Sequence, residues 1–254
     1  MDEQRGDSVL CVVPARLGST RFPEKMLVPL CGKPLVLHAY ERAGRATRVS
    51  DILIATDDER IARAVEPFGA RYEMTRPDHA SGTDRIAEVA ARHPEAAIIV
   101  NVQGDEALID PDVVDAVIQA LMEDAEAAIA TAACPIREAD RLDDPNVVKV
   151  VCDIQGRALY FSRARIPHVR DAADTDKARY LQHLGLYAYR RERLMAFAGL
   201  PQTPLEKLEK LEQLRALENG WKIRVIETDY TGIGVDVPAD LERVRKMLEQ
   251  GQGG

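Results

Sequence analysis

Three cations, two hydroxyls and a glycine fall within one short stretch, Pro14-Ala-Arg-Leu-Gly-Ser-Thr-Arg-Phe-Pro-Glu-Lys25. Backbone N–H groups there, together with Arg16, Arg21 and Lys25, can surround a polyphosphate; a solvated basic loop is the alternative. The stretch is not a P-loop, because Gly32-Lys33 has Leu27 where the first glycine belongs and Pro34 where the hydroxyl belongs. A second group, Asn101-Val-Gln-Gly-Asp-Glu106, closes an apolar run. A carboxylate beside a glycine that lets a ligand reach the backbone suits a Mg2+ ion shared with substrate phosphates. The alternative for Asp105 is a turn residue that helps start the next helix. In Gly232-Ile-Gly-Val-Asp236-Val-Pro238, Asp236 is either a second metal ligand or the N-cap of a helix begun by Pro238.

Three further segments mix amide, imidazole, phenol and carboxylate as a hydroxyl-rich substrate would require. They are Thr75-Arg76-Pro-Asp78-His79-Ala-Ser81-Gly82-Thr83, Tyr160-Phe-Ser-Arg163, and His183-Leu-Gly-Leu-Tyr187 with Glu212-Gln213. Each has a plainer reading. Ser81 caps a helix, Tyr187 fills a core, and Glu212 belongs to a charged helix face with Glu206 and Glu209. His38 and His93 cap or pack.

Most of these groups follow a run that reads as a buried strand. Ser8–Pro14, Asp51–Thr56, Ala70–Met74 and Ala96–Val102 are strands, and Lys33–Ala46, Glu59–Phe68, Thr83–Arg92 and Pro111–Asp124 carry helical spacing. Strands alternating with crossover helices give a doubly wound α/β fold with a mostly parallel sheet, whose carboxyl edge binds ligands. From Ala127 to Tyr189 the pattern is mainly strands, with a hairpin turn at Ile154-Gln-Gly-Arg157, and reads as a smaller β-rich insertion. Pro204–Asn219 reads as one helix with Leu205, Leu208, Leu211, Leu214 and Leu217 on a stripe; Lys222–Thr228 is a return strand and Pro238–Gln250 a last helix.

At 254 residues the chain fits one domain. A net charge of −8 without a Lys/Arg block argues against nucleic acid as a partner. Cys11, Cys31, Cys134 and Cys152 lack zinc or disulfide spacing and read as buried thiols in a reducing compartment. Neither a signal-peptide layout nor a membrane-length apolar run is present, so the expected location is the cytoplasm, with no membrane insertion.

The ordered set Val13-Pro-Ala-Arg16, Ser19-Thr-Arg21 through Lys25, Gly32-Lys-Pro34, Ala55-Thr-Asp57, Met74-Thr-Arg76, Asp78-His79, Ser81-Gly-Thr83, Asn101 through Glu106, Ala158-Leu-Tyr-Phe-Ser-Arg163, Ile166-Pro, His183-Leu-Gly, Leu211-Glu-Gln-Leu-Arg215 and Gly234-Val-Asp236 resembles the 3-deoxy-manno-octulosonate cytidylyltransferases. The resemblance runs from about Val9 to about Leu248. It implies a nucleotide-diphospho-sugar-transferase-like fold and a homodimer. The implied reaction is that of CTP with 3-deoxy-D-manno-octulosonate (Kdo) to CMP-Kdo and pyrophosphate, for lipopolysaccharide inner-core assembly.

By the same resemblance, Ala15, Arg16, Ser19 and Lys25 would contact CTP and its phosphates, and Arg76, Ser81, Gly82 and Gln103 the cytidine. Asp105 and Asp236 would hold Mg2+; Arg163, His183, Tyr187, Glu212 and Gln213 would hold the sugar acid. Arg16, Lys25, Asp105 and Asp236 would form the catalytic group. The single domain would divide into a nucleotide-binding core, 8–126 with 190–250, and a sugar-binding, subunit-pairing subregion, 127–189. The chain departs from the family pattern at His168-Val-Arg170, where an aromatic residue is usual after Ile-Pro, and at Glu24 and Met26, where glycine and proline usually flank the lysine. The polar stretch Asp171–Lys177 reads as a lid. The alternative acceptors are 8-amino-Kdo or a nonulosonic acid, and the alternative class is a protein that binds a sugar nucleotide without turning it over.

Overall fold

Val9–Ala15 forms strand β1 and is buried along its whole length, as a parallel strand covered on both faces must be. Alternate residues feed different cores: Val9, Cys11 and Val13 pack on one face of the sheet, Leu10 and Val12 on the other. The computed structural model describes residues 8–18, 22–171 and 178–251. Ser19 and positions 172–177 of the expected lid lie outside the described residues. After β1 come β2 (Pro29–Leu30), β3 (Lys33–Pro34), α1 (Leu35–Ala43), β4 (Asp51–Thr56), α2 (Glu59–Val65), β5 (Tyr72–Met74), α3 (Gly82–Arg92), β6 (Ile98–Asn101) and α4 (Pro111–Glu123). The second half adds β7 (Ala127–Pro135), β8 (Lys149–Cys152), β9 (Ala158–Ser162), β10 (Leu181–Arg190), α5 (Arg191–Ala198), α6 (Pro204–Glu209), α7 (Gln213–Glu218), β11 (Lys222–Glu227) and α8 (Pro238–Glu249).

Nine strands make the main sheet in the order β11-β7-β10-β6-β1-β4-β5, with β8 paired to β10 and to β9. It is parallel along this order except at β10, which runs antiparallel to both β6 and β7. Helices α1 and α4 cover one face, and α3, α5 and α7 the other. A third apolar cluster packs α8 through Leu241 and Val244 onto Leu30, Leu35, Leu108 and Val235. The fold is α/β and mostly parallel, as the alternation predicts. The 127–189 stretch is not set apart from the core, however: β7 and β10 are central strands, and only the β8–β9 hairpin lies off the main path.

The helix expected over Pro204–Asn219 is two helices, with Lys210 left-handed at φ 54° between them. The break lets Glu206 and Arg215 pair, with Arg215 Nε and Nη2 donating to the carboxylate at 2.8 and 2.5 Å. In one continuous helix, residues nine apart would face opposite sides. The leucine stripe is therefore not kept, and Leu208 is 80% exposed. The cysteines are free; Cys11 and Cys134 are buried, but Cys31, at the β2–β3 turn, is exposed. No helix among the described residues is long and apolar enough to cross a membrane.

Candidate active site

The carboxyl ends of β1 and β6 and the segment entering α8 meet around one ammonium group. Lys25, 8% exposed, donates from Nζ to a carboxylate oxygen of Asp105, to the Val235 carbonyl at 3.0 Å and to Asp236 Oδ1 at 3.2 Å. Burial alone would lower its pKa, but Asp105 and Asp236 outweigh that and hold it above the ordinary lysine value. Asp105 stands in the turn after β6, and its carbonyl accepts from Val235 N–H at 3.1 Å. Gly104 is needed there, because a Cβ would come within 3.1 Å of both the Pro14 carbonyl and Met26 Sδ.

Asp236 does not cap α8. Asp240 does so, its Oδ2 accepting from Asp236 N–H and Val237 N–H, each at 3.0 Å. Two carboxylates thus converge, and no group of three or more His, Cys, Asp or Glu that could hold a metal occurs among the described residues. That donor set fits Mg2+, which binds one or two carboxylates and takes its other ligands from phosphates and water. Behind them Glu106 is pushed up to about 7, first by burial and then by the Asp105 charge; Tyr230 Oη donates to it at 3.0 Å.

A cavity of about 300 Å³ opens in front of this cluster. Of the residues expected to contact CTP, it gathers Ala15, Arg16, Lys25, Ser81, Gly82 and Gln103, beside Asp105 and Asp236. Ser81 caps α3 as well, its Oγ accepting from Asp84 N–H at 3.2 Å. Arg76 does not line the cavity; its side chain is 68% exposed, near Asp78 and Glu88. Two more lining residues are His79, read from the sequence only as part of its segment, and Arg85, which the sequence did not single out. His79 is paired with Glu88, and buried Arg85 donates to Thr75 and reaches Asp57 at 3.1 Å. The signal for Arg85 was an arginine just inside the Ser81 cap, with an aspartate at the end of β4 to receive it.

The residues expected to hold the sugar acid divide. Thr83 Oγ1 donates to Glu212 at 2.6 Å and so ties Glu212 to the start of α3, with Gln213 beginning α7 beside it. The charged face expected for Glu206, Glu209 and Glu212 does not exist, because Glu206 binds Arg215 and Glu209 accepts from Ser162 Oγ at 2.7 Å. His183 and Tyr187 flank a bulge in β10, their ring centroids 5.3 Å apart. Thr131 Oγ1 donates to the Leu186 carbonyl at 2.7 Å and accepts from His183 Nε2 at 3.0 Å, which assigns the proton to Nε2. Burial pushes His183 down to about 3 and raises Tyr187 above the ordinary phenol range. Arg163 is engaged with backbone: its guanidinium donates to the carbonyls of Glu209 at 2.6 Å and Pro145 at 2.7 Å, clamping the β9 end onto the α6–α7 break.

With this geometry in place, a family model described as cytidylyltransferase matches residues 10–223. Over 250 residues the chain is 52% identical to 3-deoxy-manno-octulosonate cytidylyltransferase of Solibacter usitatus (strain Ellin6076), covering 96% of this chain and 98% of that protein. The chain belongs to the 3-deoxy-manno-octulosonate cytidylyltransferase family. A second member, from Geobacter sulfurreducens (strain ATCC 51573 / DSM 12127 / PCA), is 52% identical and covers 95% of this chain and 100% of that protein. A solved structure of CMP:2-keto-3-deoxy-manno-octonic acid synthetase complexed with CTP is 45% identical, with a TM-score of 0.91 over 96% of this chain and 99% of that one. The family model takes in Lys25 and Asp105 and ends before Asp236, which the fold itself brings to the site.

Proposed function

We propose that the protein transfers the cytidylyl group of CTP to the 2-hydroxyl of Kdo, giving CMP-Kdo and pyrophosphate. The observation that carries this reading is the convergence of Lys25, Asp105 and Asp236 at the cavity that also holds Arg16 and Gln103, in a chain of this family. The sugar oxygen attacks the α-phosphorus, the bond from that phosphorus to the oxygen bridging to the β-phosphate breaks, pyrophosphate leaves with its electron pair, and the hydroxyl proton passes to solvent water. Such a transfer needs positioning and charge neutralisation rather than a protein nucleophile.

Arg16 and Lys25 bind the triphosphate and neutralise the departing pyrophosphate. Ala15, Gly82, Ser81 and Gln103 hold the nucleoside end, and the family resemblance assigns Ser19 to CTP. Asp105 and Asp236 hold Mg2+, which when bound would offset phosphate charge and lower the pKa of the attacking hydroxyl. Lys25 bridges the two carboxylates in this structure, and in the loaded site we assign it to phosphate. His183, Tyr187, Glu212 and Gln213 surround the acceptor with a neutral imidazole, a phenol, a carboxylate and an amide. Arg163 supports that pocket through the backbone, and Arg76 meets the nucleotide only at the rim.

We further propose a homodimer and a cytoplasmic location, where CTP is available. Exposed apolar side chains on the β8–β9 hairpin and α6, namely Ile154, Leu159 and Leu208, support subunit pairing. The experiment is to follow the CMP-sugar formed from CTP and Mg2+ with Kdo, 8-amino-Kdo and N-acetylneuraminate side by side. Product from Kdo is expected; product only from another acid keeps the chemistry and changes the acceptor, and CTP binding without product from any acid favours a non-catalytic binder.

A further inference from the structure

Glu106 follows Asp105 directly but serves a different loop. Its Oε2 accepts from Tyr230 Oη at 3.0 Å, and Ile233 N–H also donates to its carboxylate. Two residues beyond, Val235 N–H donates to the Asp105 carbonyl at 3.1 Å. Three contacts therefore join the loop between β11 and α8 to two consecutive residues after β6. Residues 228–237 form neither helix nor strand, so no backbone ladder holds that loop. Its path past Glu106 is narrow: Gly232 sits at φ +55°, and a Cβ there would approach Leu184 Cδ2 to 3.2 Å. Asp236 directly follows Val235, the last of these contacts, in the same loop. A carboxylate withdrawn from water is costly unless its hydrogen bonds do something for the fold.

We infer that Glu106 is a positioning residue, whose carboxylate pins the 230–235 loop and thereby fixes the spacing of Asp105 and Asp236. The inference rests on the reading of those two carboxylates as the metal-holding pair. Residues behind metal ligands orient them, and losing one weakens metal binding more than substrate binding. Tyr230 serves the same end from the other side of the hydrogen bond.

CTP affinity measured by calorimetry with Mg2+, and again with EDTA, tests this without relying on turnover. In the wild type, Mg2+ is expected to tighten CTP binding. Glu106→Ala is expected to lose about tenfold of that gain, while its affinity in EDTA stays within about twofold of wild type. Tyr230→Phe, which removes one hydrogen bond, is expected to lose about threefold, and Glu106→Gln, which keeps a single acceptor oxygen, falls between the two. If Glu106→Ala does not fold, Tyr230→Phe and Glu106→Gln carry the test. An undiminished Mg2+ gain in these variants overturns the pin, and so do equal losses with Mg2+ and with EDTA, which mark general damage. A wild type that gains nothing from Mg2+ defeats the metal reading itself, and is told apart because no variant is needed to see it.

Discussion

Because His183 donates a hydrogen bond from Nε2 to Thr131 Oγ1 and packs against Phe161 and Tyr187, it stays neutral in the folded chain. Its pKa in the folded state, about 3, lies below the unfolded value of about 6.5. Between those values the unfolded chain binds a proton that the folded chain refuses, so stability is complete above about pH 6.5 and falls as pH drops through that window. His183→Gln can still donate to Thr131 but does not titrate. Denaturant unfolding should show wild type losing up to about 1.4 kcal/mol per pH unit more than the variant between about pH 6 and pH 4. Parallel pH curves would show that His183 is not held neutral. At this scale the sequence was half legible. Asp105 and Asp236 were singled out and do converge on Lys25, yet a short carboxylate suits a turn, a cap and a metal alike; only the placement of Asp240 settles that Asp236 is not the cap. The partners of Arg163 were not legible for a related reason: the Glu209 carbonyl it satisfies lies at a helix break that local patterning did not reveal.

At the scale of elements, that break between α6 and α7 is held by the Glu206–Arg215 pair, whose side chains are only 4% and 6% exposed. Burial opposes the Glu206 charge, but two hydrogen bonds from Arg215 keep its pKa below the ordinary carboxylate value. Glu206→Ala would leave the guanidinium buried without its counter-charge, at a cost of about 3–5 kcal/mol in chemical denaturation. A loss of less than about 1 kcal/mol would mean that the break is maintained by something else, since surface pairs contribute only that much. Strands were legible because buried runs such as Asp51–Thr56 announce themselves, and that strand has the bounds the sequence predicts. The helix break was not, because leucines at spacings of three continue the pattern across Lys210, while the reason for stopping lies in a pairing nine residues apart.

For the whole molecule, strand alternation conveyed the α/β class, but the reversed direction of β10 is a long-range property that no local window contains. The hairpin β8–β9 leaves Leu159 63% exposed, and Leu208 is exposed on α6. A dimer covering these residues is expected in light scattering at micromolar concentration, and Leu159→Glu with Leu208→Glu should yield monomers. A wild-type monomer would remove the subunit-pairing role from this surface.

We assign Lys25, Asp105 and Asp236 as the reacting centre of a cytidylyl transfer. That role is tested most directly by pyrophosphate release from CTP, Kdo and Mg2+, measured for wild type and Asp105→Asn side by side. Release by the wild type, reduced about a hundredfold or more in the variant, is the predicted result. No release from the wild type, or equal release from both proteins, would contradict it.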